Sequence, residues 1–81
     1  MVTREESVFQ VGRILKIRRK SLKMSRKEVA LLAQITPTYL SMIENGHREP
    51  AMPMLGRLLD VLGLELVFKE RDIVSREDEG W

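Results

Sequence analysis

From Ser7 to about Lys23, apolar residues recur at Val8, Val11, Ile14, Leu15, Ile17 and Leu22, close to the helical period. Arg13, Lys16, Arg18, Arg19 and Lys20 fall on the opposite side, so the pattern predicts an amphipathic helix. A second helix is expected from Ser25 to Ala33, burying Val29, Ala30, Leu32 and Ala33. It opens with Ser25-Arg26-Lys27-Glu28, where a Ser followed three residues later by Glu reads as a capping box. Gln34-Ile35 forms a turn with Ile35 pointing inward. A third helix follows from Thr36 to Asn45, with a hydroxyl N-cap, a proline at the first helical position, Leu40 and Ile43 buried, and Gly46 to end it. Pro50 and Pro53 bracket a loop. A fourth helix runs from Pro53 to Leu62, with Met54 or Leu55, Leu58, Leu59 and Leu62 on its apolar face and Gly63 as its stop.

The period then changes. Leu64, Leu66 and Phe68 alternate with Glu65, Val67 and Lys69, which is strand periodicity. One strand cannot pair with itself, and no second strand pattern exists in the chain. The simplest partner is the same strand across a two-fold axis, which assigns Leu64, Leu66, Val67 and Phe68 to dimerisation. The expected fold is therefore mainly α, four to five helices with one C-terminal β-strand pairing across a dimer. The expected division is a flexible N-terminus at 1–6, a helical domain with its dimerisation strand at 7–69, and a flexible acidic tail at 70–81.

Eighty-one residues make one small domain, and chains of this size often lean on a partner for stability. The absence of cysteine excludes disulfides and thiol chemistry and suits a reducing, cytoplasmic compartment. No apolar run approaches the roughly 18 residues of a membrane span. The net charge of +2 conceals an asymmetry: residues 1–50 carry ten Lys or Arg against five Asp or Glu, residues 51–81 four against seven. A basic front half suits a polyanion, and an acidic back half suits a protein.

Two short helices joined by a tight turn are how a chain presents one helix to the DNA major groove. Enzyme chemistry has little to stand on. His47 is the single histidine, so neither a metal site nor a Cys/His nucleophile pair is expected, and no cofactor is implied. Glu77, Asp78 and Glu79 lie in the tail, without a rigid frame to pair them for acid–base work. Met24 and Met54 are expected in the core, with Met52 open. Gly56, inside the fourth helix, implies either close packing against a neighbouring helix or a tolerated surface glycine.

Gly12, Arg19, Ser25-Arg26-Lys27-Glu28-Val29-Ala30, Ile35-Thr36, Leu40, Ile43-Glu44-Asn45-Gly46, Arg48, Pro50 and Leu59 through Leu64 resemble the XRE/phage-repressor helix-turn-helix family. The likeness covers roughly Val11 to Leu66. The chain departs from the family pattern at the turn, where Gln34 replaces the usual Gly, and in the third helix, where Pro37 and Met42 stand at positions that often hold polar base-reading side chains. Within the family, Leu64-Glu65-Leu66-Val67-Phe68 and the short tail look like HipB-type antitoxins.

The resemblance implies a homodimer that binds double-stranded palindromic operator DNA, nucleoid-associated when bound. Pro37, Thr38, Ser41 and Met42 would face base edges. Arg26, Lys27, Thr36, Tyr39, Asn45, His47 and Arg48 would hold phosphates. Arg19 and Glu44 would form a structural ion pair between the first and third helices. The narrower likeness implies an autoregulating antitoxin that binds a HipA-like kinase toxin, with Trp81 as a candidate anchor in the toxin. Two alternatives stand beside it: a stand-alone XRE-family regulator, and a protein-interaction module that does not bind DNA.

Overall fold

The computed structural model describes residues 4–67, with side chains from Ser7 onward. Within them lie four helices: α1 (Arg4–Ser21), α2 (Arg26–Ala33), α3 (Pro37–Glu44) and α4 (Met52–Leu62). α1 starts three residues earlier than the apolar pattern suggested. Its last turn carries Arg18, Arg19 and Lys20, where the helix dipole favours cations.

One device ends all four helices. Lys23 (φ 58), Gln34 (φ 62), Gly46 (φ 76) and Gly63 (φ 65) each take the left-handed conformation just past a helix. Each reversal closes two reverse hydrogen bonds of the Schellman type. After α2, the Gln34 and Ile35 N–H groups donate to the Leu31 and Ala30 carbonyls at 3.3 and 2.9 Å. After α3, Gly46 and His47 donate to Ile43 and Met42 at 3.1 and 2.9 Å. Lys23 and Gln34 do this with a side chain in the αL region, a position that costs an L-residue roughly 1 kcal/mol.

The core is Leu15 of α1, Val29, Ala30 and Ala33 of α2, Leu40 and Ile43 of α3, and Leu58 and Leu62 of α4. Val11, Met24, Ile35, Tyr39, Met54, Leu55, Leu59 and Leu64 pack around it, and Met52 is exposed. Expected burials are corrected on two helices. Leu32 is 60% exposed. Val29, Ala30 and Ala33 already define the buried stripe of this eight-residue helix, and Leu32 falls to one side of it. On α1, Ile14 and Ile17 are exposed, whereas Gly12, Leu15 and Arg19 are buried at three- and four-residue spacing.

Gly12 explains how α1 approaches α3 so closely. A β-carbon there would overlap the Ile43 carbonyl oxygen and stand 3.0 Å from that of Glu44. Backbone meets backbone at this crossing, and neither side has a flexible atom to move. Gly56, by contrast, has nothing among the described residues within 4 Å of its would-be β-carbon, so no described helix packs closely against it. Two arginines tie helices end to side. Arg18 Nε donates to the Leu62 carbonyl at 2.8 Å, and Arg57 Nε to the Ala33 carbonyl at 3.0 Å. Both supply a cation to a helix C-terminus, where the last carbonyls lack helical partners.

Leu64–Val67 carries no regular secondary structure. A strand needs a ladder, and among the described residues no second strand offers one. Phe68, Lys69 and the tail from Glu70 to Trp81 lie outside the described residues.

Candidate nucleic-acid interface

The two central helices are held by their caps. Ser25 Oγ accepts from the Glu28 N–H at 3.0 Å, while the Glu28 carboxylate accepts from the Ser25 N–H at 2.9 Å. Hydrogen bonds from the Ser25 backbone and side chain hold the Glu28 carboxyl below its ordinary value near 4.5. With Glu28 N–H engaged, the amides of Arg26 and Lys27 are first-turn donors without a helical acceptor. At α3, Thr36 Oγ1 accepts from the Tyr39 N–H at 3.0 Å, and Pro37 occupies the first turn.

The orientation of α3 is set by Glu44, its last residue, which is 2% exposed. Its carboxylate accepts from Arg19 Nε at 2.7 Å and Arg19 Nη2 at 3.2 Å, a two-point contact across to α1. It also accepts from Arg26 Nε at 2.8 Å, a contact to the start of α2. Arg19, itself 6% exposed, spends Nη1 on the Met24 carbonyl at 2.9 Å. One buried anion thus gathers α1, α2 and α3, and the second cation balances what would otherwise be a buried ion with one partner. No buried side-chain polar atom among the described residues lacks a partner.

This changes the place of Arg26. Its side chain is 38% exposed and bonded to Glu44, so it is a member of the internal network with one edge toward solvent rather than a loose surface cation. The signal was in the sequence: Arg26 stands three, four and seven residues before Val29, Ala30 and Ala33, on the same helical stripe.

The other candidates fall into two groups. Pro37, Thr38 and Met42 are exposed on α3, with Ser41 half-buried among them and accepting from Asn45 Nδ2 at 3.3 Å. These residues form the face opposite Leu40 and Ile43. Around its ends stand Lys27, Thr36, Asn45, His47 and Arg48, all exposed, with the Arg48 guanidinium 5.3 Å from the Tyr39 ring centroid. Tyr39 is half-buried against the core, so it fixes Arg48 as much as it presents its own hydroxyl. The roles of Gly12, Arg18, Arg57 and Lys23 were not legible in the sequence. Three of them act on backbone groups of distant helices, and no local pattern announces such partners.

A compact pair of helices joined by Gln34–Thr36, with the second helix exposing one face and braced from behind, defines a helix-turn-helix DNA-binding protein. A helix-turn-helix family model matches residues 15–69. The ImmF control region 10 kDa protein of Bacillus phage phi105 is 33% identical over 73 residues, spanning 89% of this chain and 81% of that protein. The chain belongs to the XRE/phage-repressor helix-turn-helix family. It is a DNA-binding transcription regulator and not an enzyme. No described helix is long and apolar enough to cross a membrane, and no described cluster of His, Cys, Asp or Glu could hold a metal ion.

Proposed function

We propose that the chain is an operator-binding repressor that acts as a homodimer, with α3 in the major groove. The observation that carries this is the bracing of Glu44 by Arg19 and Arg26, which presents the exposed Pro37, Thr38 and Met42 on a fixed helix. Thr38 supplies a hydroxyl and a methyl to base edges, Ser41 a hydroxyl, and Pro37 and Met42 apolar contact of the kind a thymine methyl accepts. Lys27, Thr36, Asn45, His47, Arg48 and the Tyr39 hydroxyl hold phosphates, as do the outer edge of Arg26 and the amides at the start of α2.

None of the α3 candidates makes a two-point base contact, so DNA shape and the spacing of two half-sites carry much of the specificity. That spacing is set by a second copy joined through Leu64, Leu66, Val67 and Phe68. In this division residues 7–69 are the DNA-binding and dimerising unit, and 70–81 an acidic extension. The reading is tested by binding a panel of operator variants. Thr38→Ala and Met42→Ala should alter the order of preference among sequences, while Lys27→Ala should weaken all of them alike. Uniform weakening by all three would remove α3 from the groove.

A second reading is favoured by Leu64-Glu65-Leu66-Val67-Phe68, the segment that resembles HipB-type antitoxins. In it the repressor autoregulates an operon that also encodes a HipA-like kinase, and Trp81 anchors the complex. Co-purification of the products of adjacent genes decides it. A bound kinase lost on deletion of Glu79–Trp81, with operator binding retained, supports the antitoxin role, and recovery of the regulator alone leaves the first reading.

A further inference from the structure

Beside the carboxyl end of α3, the outer face of α1 forms a groove of about 340 Å³. Phe9, Arg13, Lys16, Ile17 and Lys20 wall it, and Glu44 and Asn45 close its far side. Two chemistries meet there. Arg13, Lys16 and Lys20 recur at three- and four-residue spacing along one stripe of the helix. Phe9, one turn before Arg13, and Ile17, next to Lys16, line the same groove and are 51% and 57% exposed. The charge of Glu44 is already matched by Arg19 and Arg26, so the groove is cationic in balance.

A phosphate backbone would satisfy the three cations but leave the ring of Phe9 and the side chain of Ile17 without an apolar partner. The fitting occupant has several carboxylates and one large apolar ring. The chain contains such a segment in Glu77-Asp78-Glu79-Gly80-Trp81, which holds its single tryptophan. The reach is sufficient. Leu66 lines a recess together with Val11 and Ile14 of α1, so the chain leaves the described residues alongside this helix. From Val67 to Glu77 the chain can span up to about 33 Å, against a helix diameter of about 10–12 Å.

We propose that Glu77–Trp81 docks in cis on this groove, with the Trp81 indole against Phe9 and Ile17 and the three carboxylates against Arg13, Lys16 and Lys20. Asn45, a candidate phosphate contact, borders the groove. The docked segment would therefore place negative charge next to the DNA-binding surface and lower its affinity. That consequence rests on the DNA reading above. The docking does not.

The single tryptophan makes the test direct. In the 81-residue chain without DNA, Trp81 emission should be blue-shifted and shielded from acrylamide, independent of protein concentration. The double variant Lys16→Glu/Lys20→Glu, or Ile17→Ser alone, should release it to solvent-like emission while the helical circular dichroism is kept. High salt on the unaltered chain should weaken the shielding, a readout that requires no substitution. Solvent-like emission from the unaltered chain overturns the proposal. So does shielding that none of these changes affects, and shielding that disappears on dilution assigns the site to a second copy instead. Failure to bind DNA would leave every one of these readouts in place, so the two claims fail separately.

Discussion

Arg26 Nε donates to Glu44 Oε1 at 2.8 Å, a single bond that joins the first residue of α2 to the last residue of α3. Together with Arg19 on the other side of the carboxylate, it fixes the angle between the two helices of the motif. The partners are unequal. Arg19 is almost fully buried and makes the two-point contact, while Arg26 keeps an edge in water.

Substitution should reveal that inequality. Arg19→Ala leaves Glu44 buried with only a half-exposed partner, and removal of one member of such a pair costs about 3–5 kcal/mol. Arg26→Ala should cost clearly less, because Arg19 remains. Denaturant unfolding of the two variants checks the order, and equal losses would show that the two cations share the carboxylate evenly.

The crossing of α1 over α3 gives a sharper contrast. Gly12→Ala forces a methyl group into the Ile43 carbonyl and should destabilise the domain by at least the roughly 1–3 kcal/mol typical of overpacking. Gly56→Ala, in open space within a helix, should stabilise it by up to about 1 kcal/mol. Thermal melts of the two variants should move in opposite directions.

Gln34 and Lys23 hold left-handed conformations that glycine adopts without strain. Gln34→Gly and Lys23→Gly should each leave the fold intact and raise stability by up to about 1 kcal/mol. A loss in either would mean that the side chain makes a contribution larger than its backbone strain.

The capping box adds a pH signature. The carboxyl of Glu28 is lowered on folding by its bonds to Ser25, so its contribution is fully present above its unfolded value near 4.5 and is lost as pH falls through the folded value. Glu28→Gln should keep most of the cap while removing this part of the acid dependence. Unfolding midpoints of both proteins across the acid range check it, and parallel profiles would contradict it.

Much of this architecture was legible because its punctuation is local. Ser25 with Glu28, Thr36 with Pro37, Gly46 and Gly63 each act within a few residues, and the ends of α2, α3 and α4 fall at or next to them. Leu32 was misplaced because Val29 through Ala33 are all apolar, and an unbroken apolar run cannot rank the faces of an eight-residue helix. Arg26 was read by its charge, although its spacing to Val29 and Ala33 pointed inward. Gly12, Arg18 and Arg57 depend on backbone groups far away in the chain. The strand periodicity at Leu64–Lys69 is not matched by a strand among the described residues, because a ladder would need a second strand that they do not supply. The candidate DNA contacts could be named by residue type and exposure, but which base each one meets is a property of the operator.

Phosphate anchoring can be separated from stability. Lys27 is exposed and outside the Glu44 network, so Lys27→Ala should leave the melting temperature unchanged. Operator affinity should fall, and the slope of log K against log salt should become less negative by about 0.9, one phosphate's share. An unchanged slope with lowered affinity would place Lys27 away from the backbone.

The most direct measurement is a fluorescence-anisotropy titration of the unaltered chain, over a series of salt concentrations, on duplex DNA from the region upstream of its own gene and on unrelated duplex. The account predicts binding to both, with a steep inverse dependence of log K on log salt and a clear preference for the upstream sequence that survives at the higher salt concentrations. Absence of binding at low salt, or an affinity indifferent to salt, would contradict it.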